Sequence, residues 1–200
     1  MNNVRARQLS LMLCILIVGL GFVANNVASQ TTGQPEEFTA AAINTSDVGK
    51  KGIEQVRIVI NRWSTDAERR AFAAMLQGPD GPEKVLAQLR KTKPVGTIRT
   101  PDSLAYDLRY AHQMPGVDGG RRIVIATDRP IGFWEQTNQP RSIDYPFTLI
   151  ELHVRSDGTG EGKMSVATKI TVQEDVIELE NYANQPVRLE NVQAMAKKRD

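Results

Sequence analysis

The chain has 200 residues, 40% of them apolar, 24% charged and 6% aromatic, with Lys+Arg 25 against Asp+Glu 23. That composition is ordinary for a globular protein and excludes collagen-like, low-complexity and fully disordered chains. One Cys and two His exclude a disulfide framework and a zinc site built from four Cys or His ligands.

Arg5 and Arg7 are the only charges ahead of the run Leu9–Ala24, in which 13 of 16 residues are apolar. A basic start, a short apolar core and the small-residue stretch Val27-Ala28-Ser29 predict a secretory signal over residues 1–29, cut between Ser29 and Gln30. The expected location is outside the cytoplasm, periplasmic or extracellular. The run is short for a membrane span, which needs about 20 apolar residues; retention as an anchor is the alternative. Cys14 lies inside the run behind bulky Leu13, so it reads as one more apolar residue and not as a lipidation site. Without residues 1–29 the chain loses two Arg and no acid, leaving Lys+Arg 23 against Asp+Glu 23 and no net charge. A neutral surface predicts no nucleic-acid partner and no membrane contact beyond the export signal.

Residues 30–52 read as a flexible lead, with Phe38–Ile43 able to add an edge strand. Val56, Ile58 and Ile60 then alternate with Arg57, Val59 and Asn61, the period of a half-buried strand. Thr65-Asp66-Ala67-Glu68 forms a capping box that predicts a helix start, with Phe72, Met75 and Leu76 on its apolar face. Gly78-Pro79-Asp80-Gly81 ends that helix, and Pro82 opens a second one with Val85, Leu86 and Leu89 inward. After Pro94 the chain reads as strands: Leu104–His112, Arg122–Thr127, Phe147–Arg155, Met164–Val172, Ile177–Glu180 and Val187–Val192. In the first of these, Tyr106, Leu108, Tyr110 and His112 share one face. The expected class is α+β: an antiparallel β-meander sheet with a helical hairpin inserted after the first main strand. It occupies residues 53–193 as a single domain, followed by a frayed tail over 194–200.

Most catalytic chemistry fails on spacing. The turn Gly158-Thr-Gly-Glu-Gly-Lys163 lacks the glycine and hydroxyl positions of a phosphate loop and reads as a hairpin turn. No G-x-S-x-G occurs, and His112 and His153 are the only imidazoles. His112 reads as packed at the edge of the core and His153 as solvated. Two separated His without a paired spacing support no metal site, and no cofactor is expected.

The connection from Thr127 to Pro146 stands out, being long, polar and punctuated by proline. Long connections on a rigid sheet are common places for binding groups. Arg129, Phe133, Trp134, Glu135, Arg141 and Asp144 are the candidate binding residues: the rings offer a flat surface and the charges fix a polar ligand or a partner chain. The competing reading is that Phe133 and Trp134 plug the end of the core.

The stretches R-W-S-T-D-A-E-R at 62–69, I-R-T-P at 98–101, G-G-R-R-I-V-I-A-T-D-R-P-I at 119–131, D-Y-P-F-T-L-I-E-L at 144–152 and G-E-G-K-M-S at 160–165 resemble an uncharacterised family of exported bacterial single-domain proteins. The resemblance covers about Phe38 to Val192 and implies an exported domain with no assigned activity, so it transfers no catalytic residue. The sequence therefore predicts an exported, non-enzymatic domain that binds a small ligand or an envelope protein. The alternative is a secreted hydrolase using His112 or a carboxylate pair.

Overall fold

The computed structural model describes residues 33–44, 52–101, 104–116, 119–129, 131, 147–165, 169–173, 176–180 and 187–196. In chain order the elements are β1 (Glu36–Asn44), β2 (Gly52–Ile60), α1 (Asp66–Gln77), α2 (Gly81–Lys91), β3 (Gly96–Arg99), β4 (Tyr106–Pro115) and β5 (Arg121–Thr127). They continue with β6 (Thr148–Val154), β7 (Thr159–Ser165), β8 (Lys169–Gln173), β9 (Val176–Glu180) and β10 (Val187–Ala196). Eight strands close into an antiparallel barrel in the order β1-β10-β7-β6-β5-β4-β3-β2, while β8 and β9 form a separate two-stranded sheet.

The barrel corrects the expected fold class. An open meander in an α+β fold would leave two sheet edges, but β1 pairs with β2 on one side and with β10 on the other. The strand anticipated at Phe38–Ile43 is thus the closing strand and not an edge. Alternation reports which face of a strand is buried; it says nothing of whether the first and last strands meet. Twisted strands curl until they do, which removes both edges. The two helices fall where the capping box and Pro82 place them: Thr65 accepts from the Glu68 N–H at 3.2 Å while Glu68 accepts from the Thr65 N–H at 2.7 Å.

Two apolar cores lie on opposite sides of one wall. The barrel interior is filled by Phe38, Ile58, Ile60, Trp63, Ile98, Leu108, Ile123, Ile125, Ile150 and Leu152. The outer core is made by Phe72, Val85 and Leu89 of the helices against Tyr110, Val124, Ala126 and Leu149 of the wall. For that reason β5 and β6 read as nearly continuous apolar runs: both of their faces are covered.

One irregularity decides where β4 points its side chains. Leu108 pairs with Thr127 and Tyr110 with Ala126, so Arg109 is an extra residue, a β-bulge. Tyr106 and Leu108 stay on the interior side, but the parity flips beyond the bulge and Ala111 joins the interior. Tyr110 turns outward and stacks on Phe72 with centroids 4.6 Å apart. The single face expected for Tyr106, Leu108, Tyr110 and His112 is corrected accordingly.

Along β7 the interior positions 160 and 162 are glycine. A Cβ on Gly162 would lie 2.4 Å from the Glu151 carbonyl and 2.7 Å from Leu152 Cδ2. Glycine there lets β7 close on β6 while Leu152 fills the interior. The preceding turn is the expected hairpin: Gly158 takes φ 82°, and Asp157 Oδ1 accepts from the Thr159 N–H at 2.8 Å.

Candidate functional site

Because the strands run antiparallel round the barrel, its connections sort onto two ends. The helical hairpin between Ile60 and Gly96 and the short turns 116–120 and 155–158 leave from one end. Connections 45–51, 100–105, 128–147 and 166–186, the last including β8–β9, leave from the other, here called the loop end. Val172 of β8 packs against the outer core.

The hairpin end is sealed by side chains. Arg121 shares the inward parity of Ile123 and Ile125, and Glu36 that of Phe38 and Ala40. Their charges meet in a bidentate pair, with Arg121 Nη1 2.7 Å from Glu36 Oε2 and Nη2 against Oε1. The same Nη1 donates to Gln113 Oε1 at 2.9 Å, and the guanidinium lies over the Phe38 ring at 5.9 Å. Trp63, fully buried, completes the seal and donates from Nε1 to the Gln34 carbonyl at 2.9 Å. No motif in the sequence marks this group. The available signal was a charged residue in register with an apolar inward face on each of two strands.

At the loop end the interior becomes polar. Thr100, Thr127 and Thr148 are all buried there, with Ile131 over the core. Thr148 donates to the Arg129 carbonyl at 3.3 Å, while Thr127 Oγ1 is buried with no hydrogen-bond partner among the described residues. Just outside, the bulge residue Arg109 donates to the Thr92 carbonyl at the end of α2 at 3.1 Å. It also reaches Asp107 at 3.1 Å and Asp128 at 3.3 Å. Asp128 is buried between Arg109 and Arg129, with Arg129 Nε 3.5 Å from its Oδ1.

Of the residues selected from the sequence, Arg129 stands at this rim, its side chain 57% exposed. Phe133, Trp134, Glu135, Arg141 and Asp144 lie outside the described residues, as does the expected signal segment 1–29. The rim residues that the sequence did not mark are Thr127 and Asp128, which precede Arg129 in the chain, and Arg109, which comes to Asp128 from β4 across the β4–β5 pair.

The two imidazoles differ in setting. His112 is buried; its Nδ1 lies 3.0 Å from the Ser64 carbonyl, and since a carbonyl only accepts, Nδ1 carries the proton. Its Nε2 faces Asp66 Oδ1 at 3.5 Å. The Ser64 hydroxyl accepts from the Ala111 N–H at 3.2 Å and does not meet the ring. His153, its side chain 49% exposed, donates to buried Glu151 at 2.7 Å, and Arg122 donates to the same oxygen at 2.8 Å. Burial would raise the Glu151 pKa; the His153 and Arg122 hydrogen bonds outweigh it and hold the carboxyl down to about 2. Among the described residues no three His, Cys, Asp or Glu converge on a common point.

No family model matches the chain, and no curated protein or solved structure matches it either.

Proposed function

We propose that the chain is an exported, non-enzymatic binding domain whose small ligand or envelope-protein partner is met at the loop end of the barrel. The observation that carries this reading is the asymmetry of the two ends. One is sealed by Trp63, Arg121, Glu36 and Gln113. At the other, where β1, β3, β5 and β7 end, the interior turns polar with buried Thr100, Thr127 and Thr148, and the Thr127 hydroxyl has no hydrogen-bond partner among the described residues. Eight-stranded barrels use their mouths in this way when they bind small molecules. Export rests on residues 1–29 as read from the sequence.

Two further observations support the reading. Outward positions carry Glu37, Arg57, Glu161, Lys163, Arg188 and Glu190, with Arg57 paired to Glu37 at 2.5 Å. A barrel in lipid needs an apolar outer band, so this wall suits water. In its His112 form, the hydrolase alternative needs an imidazole nitrogen facing a nucleophile. Those of His112 face a main-chain carbonyl and a carboxylate, which is the geometry of a strut.

Purified protein from which residues 1–29 have been cut is the material for the test. Native mass spectrometry and a thermal-shift screen should find a ligand that binds and is recovered unchanged. Arg129→Ala should weaken its binding with the melting temperature hardly moved. A ligand converted during the assay would establish the enzyme instead. Intact mass of the envelope fraction checks export: it should match residues 30–200, and full-length protein in the membrane pellet would establish an anchor.

A further inference from the structure

β2 is paired with β1 along its whole length, from Gly52 opposite Asn44 to Ile60 opposite Glu36. On its other side β3 covers only Arg57 to Ile60. Residues 52–56 therefore have a strand partner on one side alone among the described residues. The cause is the shortness of β3: its four residues, Gly96–Arg99, reach only the last four of β2.

Natural proteins blunt such edges with bulges, prolines or charged outward side chains. This one has unbroken register against β1 and no proline. Its outward residue Ile53 is 68% exposed, and Leu104, in the neighbouring β3–β4 connection, is 89% exposed. Glu54 alternates with Ile53 onto the opposite face.

We propose that an extended segment of a partner polypeptide adds as a strand beside Gly52–Val56, with an apolar side chain beside Ile53 and a basic side chain toward Glu54. The inference names the partner class of the loop end and rests on the reading of that end as the binding end. What is unpaired is a main-chain edge, and an extended chain is the partner that satisfies a row of alternating N–H and C=O groups. β3 occupies the lower part of the same edge in the same manner, so the added strand continues an existing ladder. Alternation sets the specificity: apolar and basic residues must alternate, because Ile53 and Glu54 present opposite faces.

The test is amide hydrogen exchange read by NMR on the whole protein. Its probe is a short synthetic peptide of alternating valine and lysine, with a valine–glutamate peptide as control. In the free protein the amides of residues 52–56 that point away from β1 exchange as unprotected groups. The valine–lysine peptide slows them by about tenfold or more, as formation of a ladder requires. The control does not, and Ile53→Lys, a change at an exposed position, abolishes the effect with the spectrum otherwise native. Amides already protected in the free protein, or protection that grows with protein concentration alone, overturn the proposal; so does the absence of slowing with millimolar peptide. A small ligand that perturbs Arg129 while residues 52–56 stay unchanged also overturns it, yet leaves the binding reading of the loop end standing.

Discussion

His112 on β4 donates from Nδ1 to the main-chain carbonyl of Ser64, the residue before the α1 cap, at 3.0 Å. Ser64 returns the contact twice, its N–H donating to the Ala111 carbonyl at 2.6 Å and its hydroxyl accepting from the Ala111 N–H. The pair fastens the start of the helical hairpin to the barrel wall. It exists because the Arg109 bulge turns His112 outward.

His112→Gln should therefore act on stability and not on binding. The variant leaves the buried Ser64 carbonyl with a poorer donor, which costs about 1–3 kcal/mol. Urea melts should show that loss, while ligand or peptide affinity at the loop end stays unchanged. Loss of function in a variant as stable as the wild type would revive the hydrolase reading.

The Arg121–Glu36 pair gives a second prediction. Glu36→Ala removes one partner of a half-buried bidentate pair and leaves a guanidinium over Phe38 without its acid. A loss of about 2–4 kcal/mol is expected. Replacing both residues by Met and Leu should recover most of it, since a cation left alone is what makes the single change costly. Equal losses in the single and double variants would show that the charge pair is not the seal.

Acid should find Glu151. Its carboxyl is held down to about 2, from an ordinary value of 4.5, so its folded pKa is depressed. The stability it contributes is complete above about pH 4.5 and is lost as pH falls toward 2. The loss should be about 1–3 kcal/mol. Glu151→Gln should flatten the pH dependence of unfolding over that interval, as measured by denaturant melts at stepped pH.

Gly162→Ala tests the close approach of β7 to β6. The added methyl would sit 2.4 Å from the Glu151 carbonyl, a main-chain atom that cannot swing aside. A loss of about 1–3 kcal/mol is expected from overpacking. An exposed control, Lys91→Ala at the end of α2, should change stability by less than about 0.5 kcal/mol.

Much of the local structure was legible in particular residues. The Thr65–Glu68 box, Pro82 and the Asp157-Gly158 turn each have a mechanism confined to a few neighbours. Val56, Ile58 and Ile60 face inward as their spacing requires, as do Ile150, Leu152 and Val154. The candidate site was less legible. Arg129 stands at the loop-end rim, but its neighbours there come from β4 and from the end of β5. Arg109 meets Asp128, which Arg129 also approaches, from the adjacent strand by pairing of β4 with β5.

What the sequence determined by itself is both helices, most of the strands and the buried face of most of those, since capping, turn chemistry and period-two burial act over a few residues. It missed β3 and joined β7 to β8 as one strand over Met164–Val172. The tertiary structure alone decided that β1 meets both β2 and β10, that β4 changes parity at Arg109, and that Glu36 finds Arg121 across 85 positions. It also decided that β2 outruns β3, so that residues 52–56 are paired on one side alone among the described residues. Each of these depends on how eight twisted strands pair and close into a ring; no window along the chain contains that geometry.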